Sequence, residues 1–124
     1  MGAGLDTTSA SLAWMLWCTV LAGPDLWMRL RAEADDVLSG EGPFDETHLA
    51  RLDLADRTMR ETTRLHPAGS FSPRMAHVDV TIGGHRIPRG TLVMWSAHLA
   101  GRDPDAWPDP TSFDPDRFVD MAPE

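Results

Sequence analysis

Apolar residues crowd the start of the chain without leaving a polar face. The stretch SLAWMLWCTVLAG, residues 11–23, is greasy nearly all the way round, and a helix of that kind belongs inside a larger core. The pattern predicts a helix over 6–22, with Asp6, Thr7, Thr8 and Ser9 offering N-cap oxygens. Ala22-Gly23-Pro24 breaks it. Pro24 suits the first turn of a second helix, PDLWMRLRAEADDVLSG, whose Leu26, Leu30, Ala34, Val37 and Leu38 share one face. Gly40 ends that helix. After a loop at EGPFD, Asp45 or Thr47 is placed to cap a short helix. A longer helix is predicted from about Leu52 to Leu65. It stops before His66-Pro67, because proline disfavours helix in the residue ahead of it.

The pattern then shortens. HVDVTIGGHRIPRGTLVMWS alternates in brief runs with a Gly-Gly turn, which predicts three strands at about 76–82, 85–87 and 91–96. Beyond His98, GRDPDAWPDPTSFDPDRF is dominated by turn formers and predicts little regular structure. The order of helices, small sheet and long coil makes the class α+β, mainly α with a small β-sheet. No repeat and no domain boundary interrupts residues 1–124, so they read as one domain. The greasy first helix and the long coil predict that this domain is partial, a piece of something larger.

Composition narrows the partners. With 124 residues and a formal net charge of -8, the chain presents no basic face for nucleic acid. Its one cysteine, Cys18, excludes an internal disulfide and a paired-cysteine zinc site, and reads as a small buried residue on the first helix. Lysine, asparagine, glutamine and tyrosine are absent, which suggests a GC-rich gene and a high-GC bacterial source. The apolar run is too short to span a bilayer, and the start carries no basic signal-peptide region. A cytoplasmic protein is therefore expected.

Chemistry-bearing residues come in small groups. AGLDTTSA, residues 3–10, sets an acid beside a hydroxyl. That pair is either a helix cap or a proton relay. ETTR puts Glu61 and Arg64 on one helix face, three apart. A solvated pair there is worth only ~0.2–0.5 kcal/mol, whereas a buried one needs further hydrogen-bond partners. Arg117, between Phe113 and Phe118, is a candidate partner. Arg74, Arg86 and Arg89 flank the strands as surface residues or as partners for an anionic ligand. Histidines 48, 66, 77, 85 and 98 show no metal-ligand spacing, so no metal site is expected from this chain.

Taken in order, these segments resemble a cytochrome P450, a haem-thiolate monooxygenase, over nearly the whole chain. AGLDTT is similar to the family's A-G-x-[DE]-T-T helix, and ETTR with LHP to its E-x-x-R helix. PRMAHVDVTIGGHRIPRGTLV is similar to the following small sheet, and GRDPDAWPDPTSFDPDRF to the meander that ends in a P-E-R-F-like element. The resemblance implies roles. Asp6 and Thr7 match the acid–alcohol pair that delivers protons, and Ala3 and Gly4 match the place where that helix passes over the haem. Glu61, Arg64 and Arg117 match a structural triad on the haem's proximal side. Arg74 matches an arginine that pairs with a haem propionate. Ala68, Gly69, Ser70, Phe71 and Ser72 match a substrate-contacting loop.

Two positions depart from the family's habit. Gly101 stands where many members carry histidine, and Asp116 where glutamate is frequent. Neither position does chemistry, so both are expected to be tolerated. The family's axial cysteine belongs to an F-x-x-G-x-R-x-C loop that does not occur in these residues. The expectation is an internal fragment, inactive as it stands, whose haem b iron is held by a cysteine outside this chain.

The full-length enzyme would use O2 and electrons from a ferredoxin or flavoprotein reductase to hydroxylate a hydrophobic small molecule. The competing readings are a truncated, haem-free binding or scaffold protein, and a peroxide-driven or rearranging relative of the same fold.

Overall fold

A computed structural model describes residues 2–40, 42–119 and 121, without the side chains of residues 2 and 3. Helix α1 runs over Gly2–Ala22, so it begins four residues ahead of the expected start. Asp6, Thr7, Thr8 and Ser9 consequently lie inside it rather than capping it. Glycines at 2 and 4 each disfavour a helix by about 1 kcal/mol relative to alanine, but the long apolar segment behind them carries the helix through. Cys18 and Thr19 are buried on its inner side, and the Thr19 hydroxyl bonds back to the Met15 carbonyl at 2.8 Å. Leu12, Leu16, Trp17, Val20 and Leu21 remain exposed.

Gly23, at φ 101°, makes the break that only glycine adopts readily, and Pro24 opens α2, Pro24–Leu38. Its Leu26 and Val37 are buried. The short α3, Glu46–Leu49, is capped by Asp45, whose carboxylate accepts from the Thr47 amide at 2.9 Å. The Thr47 hydroxyl, His48 and the Thr47 amide together hold the Asp45 carboxyl at about 2.

Helix α4, Asp53–Leu65, sits at the centre and packs against α1 and α2. It has no side-chain cap of its own. Instead Glu33 reaches across from α2 and accepts from the Leu54 and Ala55 amides at 2.6 and 2.9 Å. A carboxylate there satisfies two orphan donors and meets the positive end of the helix dipole. The inner face of α4 is unusually polar. Thr58 and Thr62 are fully buried, each hydroxyl returning to the carbonyl four residues earlier. Helix and pattern agree at the C-terminus, where His66 precedes Pro67.

The sheet region holds four short strands rather than three. Strands β1, Ser72–Met75, and β4, Leu92–Trp95, pair antiparallel, with Ser72 opposite Trp95. Strands β2, Val80–Ile82, and β3, His85–Ile87, form a separate hairpin through Gly83 and Gly84, both at positive φ. The expected strand over 76–82 is split. Its first half is a turn, in which Asp79 accepts from the Arg89 amide at 2.8 Å and from the Arg86 guanidinium at 2.6 Å. Strand β1 lies ahead of the expected strands and contains Pro73; in a two-stranded ribbon, every strand is an edge and tolerates proline.

Helix α5, Ala97–Ala100, was not anticipated; Ser96 caps it by accepting from the Leu99 amide at 3.2 Å. The coil then runs on to a 3-10 turn over Pro115–Phe118, capped by Asp114. That turn and α5 both contact α4. No described helix is long and apolar enough to cross a membrane.

Candidate active site and its buried ion network

Glu61 is wholly buried on α4, one turn before Arg64. Its Oε2 accepts from Arg64 Nε at 2.6 Å and its Oε1 from Arg64 Nη2 at 2.8 Å. The same Oε1 accepts from Arg117 Nε at 2.9 Å and from the Asp114 amide at 2.8 Å. Burial by itself would push the Glu61 carboxyl up. The hydrogen bonds from Arg64, the Asp114 amide and Arg117 outweigh it and hold the carboxyl below the ordinary glutamate value.

Arg64 has five N–H donors, and all five are used. Beyond the two on Glu61, Nη1 donates to the Pro110 carbonyl at 2.7 Å and to the Gly101 carbonyl, and Nη2 donates to the Ser112 carbonyl at 2.9 Å. Trp107 lies against the guanidinium, its ring centroid 5.2 Å from Cζ. Arg117 adds donors to the carbonyls of Pro108, at 3.0 Å, and Ser112, at 3.3 Å. The coil therefore has an internal logic. A segment without helix or sheet leaves its carbonyls unpaired, and the guanidinium groups of buried Arg64 and half-buried Arg117 take them up. Among the described residues no buried side-chain polar atom lacks a partner.

Gly101 is not a free position. A Cβ there would drive into the carbonyl oxygen of Arg64, and the neighbouring atoms are backbone that cannot swing away. The requirement comes from close approach, since Gly101 has an ordinary helical φ of -68°. Gly101→Ala is expected to destabilise the protein by roughly 1–3 kcal/mol through overpacking. Urea unfolding of the whole protein checks this, and an unchanged midpoint would contradict the crowding.

Asp116 is likewise more than a tolerated variant. Its carboxylate takes both Nη atoms of Arg29, at 2.9 and 2.7 Å, and Nη1 of Arg57 at 2.6 Å. It thus ties α2, α4 and the 3-10 turn together at a half-exposed site. Hydrogen bonding from Arg29, then Arg57, keeps its carboxyl low. Arg29, Arg57 and Glu33 were not singled out in the sequence. Their only advance signal is charge spacing across segments 21 or more residues apart, which a single sequence does not rank.

The remaining candidate residues lie apart from this network. Asp6 is exposed on α1, next to Thr7. Gly4 is exposed too, and a Cβ there would meet nothing within 4 Å. Ala3 has its backbone in α1, while its side chain falls outside the described residues. Ala10, three residues after Thr7 and on the same helix face, borders an apolar hollow with Ala13, Trp14 and Trp17. Arg74 is exposed on β1, with Nη1 donating to the Pro73 carbonyl at 2.8 Å. Ala68 to Phe71 form the exposed link from α4 to β1, and Ser72 is the strand's first residue.

A profile of one family, cytochrome P450, matches residues 1–122. The chain belongs to the cytochrome P450 family. Ferruginol synthase of Salvia fruticosa is 37% identical over 119 residues, covering 95% of this chain and 24% of that protein. Ent-cassadiene C11-alpha-hydroxylase 1 of Oryza sativa subsp. japonica is 38% identical over 123 residues, again covering 24% of its length and 98% of this chain. Among solved structures, a zebrafish cytochrome P450 with progesterone superposes with a TM-score of 0.85 at 33% identity, covering 96% of this chain and 28% of that one. The chain thus spans about a quarter of the length of the P450 relatives it matches. These relatives are plants, and a bacterial source gains no support from them. The mainly α, small-sheet architecture is that of part of the P450 fold.

A P450 carries haem, and the described residues fit it in part. Exposed Arg74 offers a cation for a propionate. Cys18 does not fit the role of iron ligand. It is buried, and burial followed by the nearby Glu61 charge pushes its thiol up, away from thiolate. Among the described residues no cluster of His, Cys, Asp and Glu is placed to hold a metal ion.

Proposed function

We propose that this chain is the oxygen-side helix and proximal framework of a haem-dependent monooxygenase that hydroxylates a hydrophobic small molecule. The observation that carries the reading is the P450 match across residues 1–122. Two of the relatives bear hydroxylase names, for ent-cassadiene and for geranylhydroquinone, which supports hydroxylation as the reaction class. The axial cysteine is proposed to lie outside this chain, since Cys18 is buried in α1 with a raised pKa.

Bound haem supplies the oxygen-activating chemistry. The chain's own residues do the rest. Asp6 exchanges protons with solvent at its carboxylate oxygens, and Thr7 Oγ1 passes them inward, the work of a general acid and its relay. Gly4 keeps a side chain out of the space beside α1. Arg74 holds a propionate by charge. Glu61, Arg64 and Arg117 fix α4 to the coil and so hold the proximal side rigid. O2 and an electron-donating ferredoxin or flavoprotein reductase complete the cycle.

The test is the spectrum of the whole protein, reduced and exposed to carbon monoxide. A thiolate-type haem band is the expected result. A haem-free protein, or a band of the histidine type, would end this reading.

A further inference from the structure

The link between α4 and β1 is short of internal support. Its residues 67–71 are outside helix and strand. At one end His66 stacks on Trp14 of α1, ring centroids 3.9 Å apart and planes within 4°. At the other end the β1–β4 ladder starts with Ser72 opposite Trp95. Between these anchors, one hydrogen bond ties residues 67–71 to the rest of the described chain. Ser96 Oγ donates to the Ser70 carbonyl at 3.0 Å.

Ser96 differs from the other hydroxyls in how far it reaches. Those of Thr19, Thr58, Thr62 and Thr63 bond back within their own helices. Ser96 spans 26 residues to Ser70. It also accepts from the Leu99 amide and so caps α5. One hydroxyl therefore acts as donor to the loop and acceptor from the helix, which fixes its rotamer. The loop position follows from where α5 begins.

We propose that Ser96 is a positioning residue for substrate, setting the loop of residues 68–72 through the Ser70 carbonyl. This rests on the reading of that loop as part of a monooxygenase's substrate wall. Phe71, exposed and next to Ser70, is the side chain whose placement depends most directly on the bond.

The two functions of the hydroxyl can be separated. Ser96→Asp keeps an N-cap acceptor but has no proton to donate. Ser96→Ala removes both functions, and Ser96→Thr retains both. The experiment uses the whole haem-loaded enzyme with two probes, imidazole and the bulky azole clotrimazole, followed by their haem spectral shifts. Chymotryptic cleavage after the exposed Phe71 is measured alongside.

In Ser96→Asp and Ser96→Ala, clotrimazole is expected to bind about five- to tenfold more weakly, the worth of one hydrogen bond. Imidazole affinity should be unchanged, cleavage after Phe71 should quicken by a similar factor, and Ser96→Thr should match the parent. Ser96→Asp behaving like the parent in both readouts would overturn the proposal. Faster cleavage with unchanged clotrimazole affinity would also overturn it, making Ser96 merely structural while leaving the monooxygenase reading intact. If neither azole shifts the parent's spectrum, the monooxygenase reading fails and takes this inference with it.

Discussion

Glu61→Gln is expected to cost the protein about 3–5 kcal/mol, the penalty for breaking a buried charge pair. Total stabilities of about 5–15 kcal/mol leave little margin for such a loss. The geometry explains why an amide cannot substitute. Four donors converge on the carboxylate: two from Arg64, one from Arg117 and the Asp114 amide. Whichever way glutamine is turned, its NH2 faces at least one guanidinium. Two cations then sit in a closed space without their counter-charge. Thermal or urea unfolding of the whole protein checks this, and a loss under about 1 kcal/mol would show that the network is not as closed as its distances indicate.

The same carboxylate sets a pH dependence. Its folded-state pKa is lowered, so its contribution is fully present above the unfolded value of about 4.3. It is lost as pH falls through the folded value. A stability–pH curve should lose this acid-side component in Glu61→Gln.

The second large effect concerns α1. In the whole haem-loaded enzyme, Thr7→Ala is expected to go on consuming electrons while forming far less product. Removing a positioned proton donor typically costs 10²- to 10⁴-fold, and Asp6→Asn should fall toward the lower end, about 10²-fold in turnover. Thr7→Ser, which keeps the hydroxyl, should stay near the parent. The measurement is product formed per reductant consumed. Unchanged coupling in Thr7→Ala would remove Asp6 and Thr7 from the proton path.

How much of this was legible beforehand depends on distance along the chain. Glu61 and Arg64 were readable because helical spacing alone puts them on one face. Arg117 could be nominated from its flanking phenylalanines. The carbonyls of Gly101, Pro108, Pro110 and Ser112 could not, since every residue carries a carbonyl and only the folded path of the coil decides which ones converge. The constraint at Gly101 was unreadable for a related reason. Its constraint is the closeness of another backbone segment, and nothing in its own neighbourhood announces that. Local rules also misled at two element starts. Asp6 to Ser9 carry the side chains of a helix cap yet lie inside α1, and Pro73 looks like a breaker yet sits in β1. In the first place the helix extends ahead of these residues from the apolar segment behind them, and in the second the strand is an edge that tolerates proline. Asp79, by contrast, holds the stretch ahead of β2 out of the strand that alternation alone would have begun at 76.

The Glu33 carboxylate on the first amides of α4 has a bearing on the order in which the chain folds. It joins segments 21 residues apart, whereas Arg117 reaches Glu61 across 56. Closing the longer loop costs roughly 1 kcal/mol more entropy than closing the shorter one. The α2–α4 pair is thus the cheaper nucleus, formed from nearby sequence. The meander is expected to close over it afterwards, so that the Glu61–Arg117 bond locks the structure late rather than starting it.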